Sequence, residues 1–180
     1  MKYVVLLRGV NVGGNHRVPK AEFEQVLNSL GFTDVTVYIN SGNAVFSSKR
    51  APIAKNVQTA LEKHFGFDIP TLILSGHKIK AIAVAIPSEW TNDKPRSDKS
   101  GQKSDILYLF DHINTPDIIE KLGHKPDIET MIYIDGAILA TISRKNQSKG
   151  SLQRLIGSKL YHQVTIRNIS TAKKLAELVD

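Results

Sequence analysis

Residues 35–48 read VTVYINSGNAVFSS, and this stretch decides the fold. Valine, isoleucine, tyrosine and phenylalanine, which favour strands, stand on both sides of Ser41 and Gly42, a pair that favours a tight turn. The stretch therefore predicts a β-hairpin made of strands at residues 35–40 and 43–48.

Helical patterns flank this hairpin. Apolar residues recur at helical spacing over residues 23–30, after Pro19, and every four residues over 53–65, after Pro52. Short apolar runs at residues 3–7 and 71–74 predict the outer strands. The order is then β-α-β-β-α-β, that of the ferredoxin-like fold, with one further helix at residues 78–86.

The same element order is predicted a second time. Strands at 106–110, 131–134, 138–142 and 164–167 alternate with helices at 116–122 and 152–160, and a helix at 171–179 follows. We therefore expect an α+β protein of two tandem ferredoxin-like subdomains, each followed by an extra helix. The subdomains are expected at 1–86 and 104–180, joined by a polar linker or surface loop at 87–103 in which Trp90 is the one large apolar residue.

Composition excludes several classes of function. The 180 residues include no cysteine, which excludes disulfide scaffolds, thiolate metal sites and cysteine nucleophiles and indicates a reducing, cytoplasmic location. The apolar run at residues 3–7 is too short for a signal-peptide core, and no stretch approaches a membrane span, so we expect no membrane partner. The six histidines are far apart, so the sequence predicts neither a metal site nor a cofactor.

One edge of the first predicted sheet gathers residues suited to an anion. Glycines let backbone amides converge, a helix N-terminus favours negative charge, and arginine offers a planar fork of donors. We therefore predict a site for a phosphate-bearing small molecule; the alternative is that the glycines only turn the chain and Ser41-Gly42 only closes the hairpin. The candidate ligand-binding residues are Arg8, Gly9, Asn11, Gly13, Gly14, Asn15, Arg17, Asn40, Ser41 and Asn43, with Gly42 between the last two.

Motifs of common enzymes do not fit this edge. Residues 9–14 have the glycine spacing of a phosphate-binding loop, but Asn15 and His16 stand where lysine and serine or threonine would be needed. No serine lies in the Gly-x-Ser-x-Gly elbow of hydrolases. With no obvious general base, the sequence favours binding over catalysis and leaves enzymatic activity open.

A second surface is suggested by the distribution of charge. The net charge is +7, and residues 136–176 contain no acidic residue, whereas outside this tract basic and acidic residues nearly balance. Either this basic tract is a solvated face, or it binds RNA or DNA phosphates without reading sequence. Its basic residues are Arg144, Lys145, Lys149, Arg154, Lys159, Arg167, Lys173 and Lys174.

Three motifs resemble those of a known family. Residues 6–14, LLRGVNVGG, and residues 38–43, YINSGN, are similar to the bacterial family called domain of unknown function 1697, and residues 165–175 resemble its C-terminal motif. The resemblance implies two ferredoxin-like subdomains and no assigned activity. In the C-terminal motif the family usually has Arg-Asn-Trp-Asn-Thr, whereas this chain has Arg-Asn-Ile-Ser-Thr at 167–171.

A weaker similarity is to acylphosphatases. Those enzymes share the ferredoxin-like fold, hold phosphate in the loop after the first strand with an arginine, and place an asparagine at the second strand. The resemblance implies that Arg8 or Arg17, together with Asn40, would fill these roles. An acylphosphatase-like hydrolase is therefore a further alternative.

Overall fold

The computed structural model describes residues 1–92, 94 and 97–180. Within them the chain forms eight strands and six α-helices, with short 3₁₀ helices at Asp111–Ile113, Gln147–Lys149 and Lys159–Gln163. In chain order the elements are β1 Lys2–Leu7, α1 Lys20–Ser29, β2 Thr33–Tyr38, β3 Asn43–Ser47, α2 Ala54–Phe65, β4 Thr71–Ser75, α3 Gly76–Val84, β5 Gln102–Leu109, α4 Ile118–Lys121, β6 Glu129–Ile134, β7 Ala137–Ser143, α5 Ser151–Leu155, β8 Val164–Asn168 and α6 Ile169–Leu178.

The strands form two four-stranded sheets. One has the order β2-β3-β1-β4 and the other β6-β7-β5-β8, and every neighbouring pair is antiparallel. In each sheet the first strand of its group lies between the third and the fourth. The prediction of an α+β protein is confirmed, and the hairpin predicted from residues 35–48 is present as β2 and β3.

Each sheet buries the helix-facing side of its strands. In the first, alternate β1 residues Tyr3, Val5 and Leu7 pack with Phe23 of α1 and Leu61 of α2, as expected from the two-residue period of a strand. In the second, Leu107 and Leu109 of β5 pack with α4 and α5. These two apolar clusters hold the loops that follow β1 and β5 in place.

Two helices of the second group, α4 and α5, are shorter than their patterns predict. Residues 116–122 yield only Ile118–Lys121, and residues 152–160 yield Ser151–Leu155 followed by a separate 3₁₀ helix. Gly157 interrupts the second pattern because glycine costs about 1 kcal/mol in a helix interior. The Ser158 hydroxyl then donates to the carbonyl of Leu155 at 2.9 Å, which ends the turn.

Two compact units divide the chain. One comprises Met1–Lys80 with Leu175–Asp180, and the other comprises Ala81–Lys174. The last turn of α6, Leu175–Leu178, therefore lies in the first unit. Lys2 Nζ donates to the carbonyls of Leu178, at 3.3 Å, and Asp180, at 2.6 Å, which explains that placement.

Part of the segment expected as a linker is packed against the second unit. Trp90 is only 5% exposed. The Asn92 side chain donates to the Ser104 carbonyl at 2.5 Å and accepts from the Ser104 amide at 2.8 Å. The rest of the expected linker includes positions 93, 95 and 96, which lie outside the described residues.

Among the described residues, no helix has the length and apolar character required to cross a membrane.

Candidate functional site

Strand pairing brings three connections to one edge of the first sheet. The end of β1 lies beside the starts of both β3 and β4, with Leu6 opposite Asn43 and Leu7 opposite Thr71. The β1–α1 loop, the β2–β3 turn and the α2–β4 loop therefore meet there. We call residues 8–17, 39–43 and 66–70 the loop edge.

Asn11 ties two of these connections together. Its side-chain amide donates to the carbonyls of Asn40, at 2.7 Å, and Val18, at 3.2 Å, and its side-chain oxygen accepts from the Val18 amide at 2.9 Å. Asn11 has φ of 56°, a left-handed conformation that asparagine tolerates better than most residues. The structure thus uses the side chain of this predicted ligand-binding residue to hold the loops in register.

Gly13 and Gly14 form the tip of a small hairpin within the β1–α1 loop. Their φ angles are 59° and 81°, the Asn15 amide donates to the Val12 carbonyl at 3.1 Å, and the Asn11 amide donates to the His16 carbonyl at 3.0 Å. Positive φ at both central positions is typical of a type I′ turn. Both glycines are exposed, and within the described part of the chain their amides make no hydrogen bond.

Gly42 and Asn43 fix the β2–β3 turn from inside. Gly42 has φ of 71°, and a Cβ there would lie 2.7 Å from both Leu7 Cβ and Val10 Cγ2. Asn43 is fully buried, and its amide donates to the Tyr38 carbonyl at 3.1 Å and the Ser41 hydroxyl at 2.8 Å. At these two positions the structure supports the alternative interpretation, in which the residues serve the turn.

The remaining candidates present side chains or backbone at the surface. Arg17, Asn15 and Asn40 are exposed, as is Gly9 with φ of 72°. Arg8 is half-buried, and its amide donates to the Pro70 carbonyl at 3.0 Å. Two arginines thus lie on the connection that also carries the amides of Gly13 and Gly14, and α1 begins directly after it without a side-chain cap.

The α2–β4 loop adds groups that the sequence analysis missed. The ring of His16 stacks on Phe67 with centroids 4.7 Å apart. Asp68 and Glu62 form a carboxyl pair: a hydrogen bond to Glu62 raises the pKa of Asp68, whereas hydrogen bonds led by that from Gln58 lower the pKa of Glu62. Arg8 lies close enough to oppose the rise in the pKa of Asp68. The signal that would have found this loop is the antiparallel pairing of β1 with β4.

The second unit repeats the hydrogen bonds that build this edge. Leu7 and Leu109 each donate to a turn glycine carbonyl, Gly42 at 2.8 Å and Gly136 at 3.0 Å. Asn114 holds the second turn as Asn11 holds the first, because its oxygen accepts from the Gly136 amide at 2.8 Å. The two units therefore share this arrangement of hydrogen bonds, but the residues that it presents are different.

The difference lies in the residues that the two scaffolds carry. The amide of Arg8 donates to Pro70, and at the equivalent place Phe110 donates to Gln163. The second loop folds into a 3₁₀ helix at Asp111–Ile113 and contains no glycine or arginine. The predicted anion-binding chemistry is therefore confined to the loop of the first unit.

The basic tract does not form one uniform surface. Arg167 is 7% exposed and donates to the Thr165 hydroxyl and the Ile166 carbonyl, both at 2.9 Å. Burial lowers its pKa to about 10, and burial raises the pKa of the neighbouring Tyr108. Arg167 is thus a correction to the predicted nucleic-acid-binding set, because a buried guanidinium cannot reach a nucleic-acid phosphate.

The other members of the basic tract differ in how far they are exposed to solvent. Arg144 is half-buried and donates to the Lys94 carbonyl at 3.2 Å. Together with Lys99 and Lys145 it lines a shallow cavity of about 260 Å³. The exposed members are Lys145, Lys149, Arg154, Lys159, Lys173 and Lys174.

Comparisons with known proteins give a family and a similar structure. The family described as protein of unknown function, DUF1697, matches residues 1–139. The solved structure of the conserved bacterial protein SP0830 from Streptococcus pneumoniae is similar, with 27% identity and a TM-score of 0.77, over 99% of this chain and 98% of that chain. No curated protein matches the chain.

Proposed function

The chain belongs to the DUF1697 family of proteins of unknown function, and we propose that it binds a phosphate-bearing small molecule at the loop edge. One observation carries the proposal. Two units share the same hydrogen-bonded scaffold, yet only the first carries two arginines and two exposed glycine amides that make no hydrogen bond to any described residue. A scaffold alone needs neither group, since the second unit is built without them.

The ligand's phosphate would meet three kinds of donor. The guanidinium groups of Arg8 and Arg17 offer charge-assisted forks, and the amides of Gly13 and Gly14 offer dipoles that need no rearrangement. The exposed side chains of Asn15 and Asn40 extend this set, with Gly9 and Ser41 beside them. The N-terminus of α1, which no side chain caps, adds a favourable dipole.

Asn11, Gly42 and Asn43 have a positioning role in this proposal. They hold the β1–α1 loop against the β2–β3 turn through the Asn11 bond to Asn40 and the close approach of Gly42 to Leu7. Preorganised donors bind more tightly because less conformational entropy is lost on binding. We therefore expect the family motifs around residues 8–14 and 38–43 to combine scaffold and ligand-binding residues.

Hydrolysis of an acyl phosphate is the catalytic form of the same proposal. Water would attack phosphorus, the bond between phosphorus and the acyl oxygen would break, and a carboxylate would leave. Asn40 would orient the water, and Asp68, whose pKa is raised by its hydrogen bond to Glu62, would exchange a proton with it. Binding has more support than catalysis, because it requires only the donors already present.

The proposal for the fold is that each unit is ferredoxin-like. The strand orders β2-β3-β1-β4 and β6-β7-β5-β8 and the repeated hydrogen bonds of Leu7 and Leu109 support this interpretation.

Nucleic-acid binding by the basic tract has less support, because Arg167 is buried and Arg144 is half-buried.

A thermal-shift screen of phosphates and nucleotides tests the binding proposal. At a ligand concentration about a hundred times Kd, the free energy of unfolding should rise by about 2.7 kcal/mol, which corresponds to about 5–10 °C for a chain of this length. Arg17→Ala and Asn40→Ala should lose the shift, while Arg154→Ala, which removes an exposed arginine from the second unit, should keep it. No shift with any ligand would contradict the proposal, as would an equal shift in the wild type, Arg17→Ala and Asn40→Ala.

A further inference from the structure

The second unit contains a cavity of about 110 Å³ under α5. It lies on the face of the second sheet that also carries Leu107 and Leu109, since alternate residues of β5 share one face. Lys103, Asp105 and Glu129 line it together with apolar residues of β7, β8 and α5. The loop edge contributes nothing to this cavity.

Asp105 gives the cavity its chemical character. Only 8% of its side chain is exposed, and Oδ2 lies 2.8 Å from Lys103 Nζ. Apart from this ion pair, Oδ2 has no hydrogen-bond partner among the described residues. Burying a charge with a single partner is costly, because the lost hydration is only partly replaced. Asp105 can therefore accept a cationic donor in place of Lys103 Nζ.

The balance of charge around the cavity also favours a cation. The Glu129 carboxylate, 6% exposed, accepts from the amides of Lys125, at 2.9 Å, and Ser151, at 3.0 Å. Neutral amides leave its negative charge in place. Two buried carboxylates and one lysine thus line the cavity, and the lysine side chain is 36% exposed and can turn toward solvent.

The remaining walls are mixed: apolar side chains stand beside Thr141, Gln147, Gln153 and Tyr161, and the volume is small. Ala140, Ile142, Ile166, Leu152 and Ile156 supply hydrocarbon surface. An engineered apolar cavity of about 150 Å³ holds benzene, so this one accommodates about four to five non-hydrogen atoms. A negative end with apolar sides fits a short alkyl chain that ends in a positive charge.

We propose that this cavity binds a short aliphatic primary amine as its ammonium ion. The ammonium displaces Lys103 Nζ from Asp105 and donates to that carboxylate. The alkyl chain packs on Ile142 and Ile166. This site is separate from the proposed phosphate site and lies wholly in the second unit.

Titration of the ¹⁵N-labelled full chain with n-butylammonium chloride at pH 7 tests the proposal. Saturable amide shifts should be confined to β5, β7 and α5, with a Kd of about millimolar order, as expected for a ligand of this size. Uncharged 1-butanol, which has the same number of non-hydrogen atoms, should bind at least about tenfold more weakly because it lacks the charge. Sodium chloride at equal concentration controls for ionic strength.

Four variants separate binding from structural effects. Asp105→Asn should weaken butylammonium binding by about tenfold or more, because it removes the charge and keeps the shape. Ala140→Val, a change that strands tolerate, should block the cavity beside Asp105. Lys103→Met should tighten binding, because it removes the competing ammonium. Asp111→Asn, which removes an exposed carboxylate beyond the other end of β5, should leave binding unchanged.

Several outcomes would overturn the proposal. These are shifts that do not saturate or lie outside the second unit, binding of 1-butanol as tight as that of butylammonium, or binding that Asp105→Asn leaves intact. Weaker butylammonium binding by Lys103→Met would also contradict it, since the lysine would then be part of the site. Because the loop edge is not involved, these outcomes are independent of any result with phosphates.

Discussion

Gly42→Ala is expected to lower the free energy of unfolding by about 3 kcal/mol. A Cβ at this position would lie 2.7 Å from Leu7 Cβ and from Val10 Cγ2, in a backbone conformation with φ of 71° that disfavours side chains. Leu7 is part of β1 and its amide donates to the Gly42 carbonyl, so the strand cannot retreat without losing that bond. Urea denaturation followed by circular dichroism measures the loss.

Gly13→Ala is the matched control for Gly42→Ala. Gly13 also has positive φ, 59°, but a Cβ there would meet no atom within 4 Å. Only the conformational cost of about 1 kcal/mol should remain. Equal losses at the two positions would contradict the account of the β2–β3 turn, because they would show that the close approach to Leu7 and Val10 contributes nothing.

Glu129→Gln is expected to destabilise the second unit by about 3 kcal/mol, although it barely changes the shape of the side chain. Each carboxylate oxygen accepts from one backbone amide, Oε1 from Lys125 and Oε2 from Ser151. A glutamine has one acceptor oxygen, so its NH₂ group would face an amide donor. The buried Ser151 or Lys125 amide would then lack a partner.

Glu120→Gln controls for the change of net charge in Glu129→Gln. Glu120 is exposed on α4, and its substitution should change stability by less than about 0.5 kcal/mol. Thermal denaturation of both variants, followed by Trp90 fluorescence in the second unit, makes the comparison. A loss below about 1 kcal/mol in Glu129→Gln would show that water or a shifted backbone replaces these hydrogen bonds.

Local sequence patterns predicted the helices and strands well, because the formation of these elements depends largely on neighbouring residues. The hairpin of 35–48 follows from strand-forming residues around a turn pair, and the repeated order follows from the period of apolar residues. The length of α5 was predicted wrongly, because Gly157 interrupts an apolar pattern that continues to Leu160. A periodic pattern shows which side of a segment is buried but not where the helix ends.

The roles of individual site residues depended on contacts distant in sequence. Asn11 and Asn43 are of a residue type that often binds ligands. In the structure, however, their side-chain amides donate to the backbone carbonyls of Asn40 and Tyr38. Arg167 is surrounded in sequence by basic residues, yet the register of β8 places it inside the protein. A count of charges along the chain cannot show such burial.

The α2–β4 loop joins the candidate site through strand pairing and not through a sequence motif. Phe67 and Asp68 stand more than fifty residues after His16, and no motif connects them. The pairing of β1 with β4 brings them to the same edge, where His16 stacks on Phe67. The ferredoxin-like fold predicted from the order of elements implies this pairing, so the loop was within reach of the sequence.

The central claim is that the loop edge of the first unit binds phosphate, and amide shifts of the ¹⁵N-labelled chain titrated with pyrophosphate test it most directly. We expect saturable shifts centred on the amides of Gly13 and Gly14 and on the guanidinium signals of Arg8 and Arg17. These shifts should disappear in Arg17→Ala and persist in Arg154→Ala. Saturable shifts confined to the second unit, or no saturable shift at the loop edge, would contradict the claim.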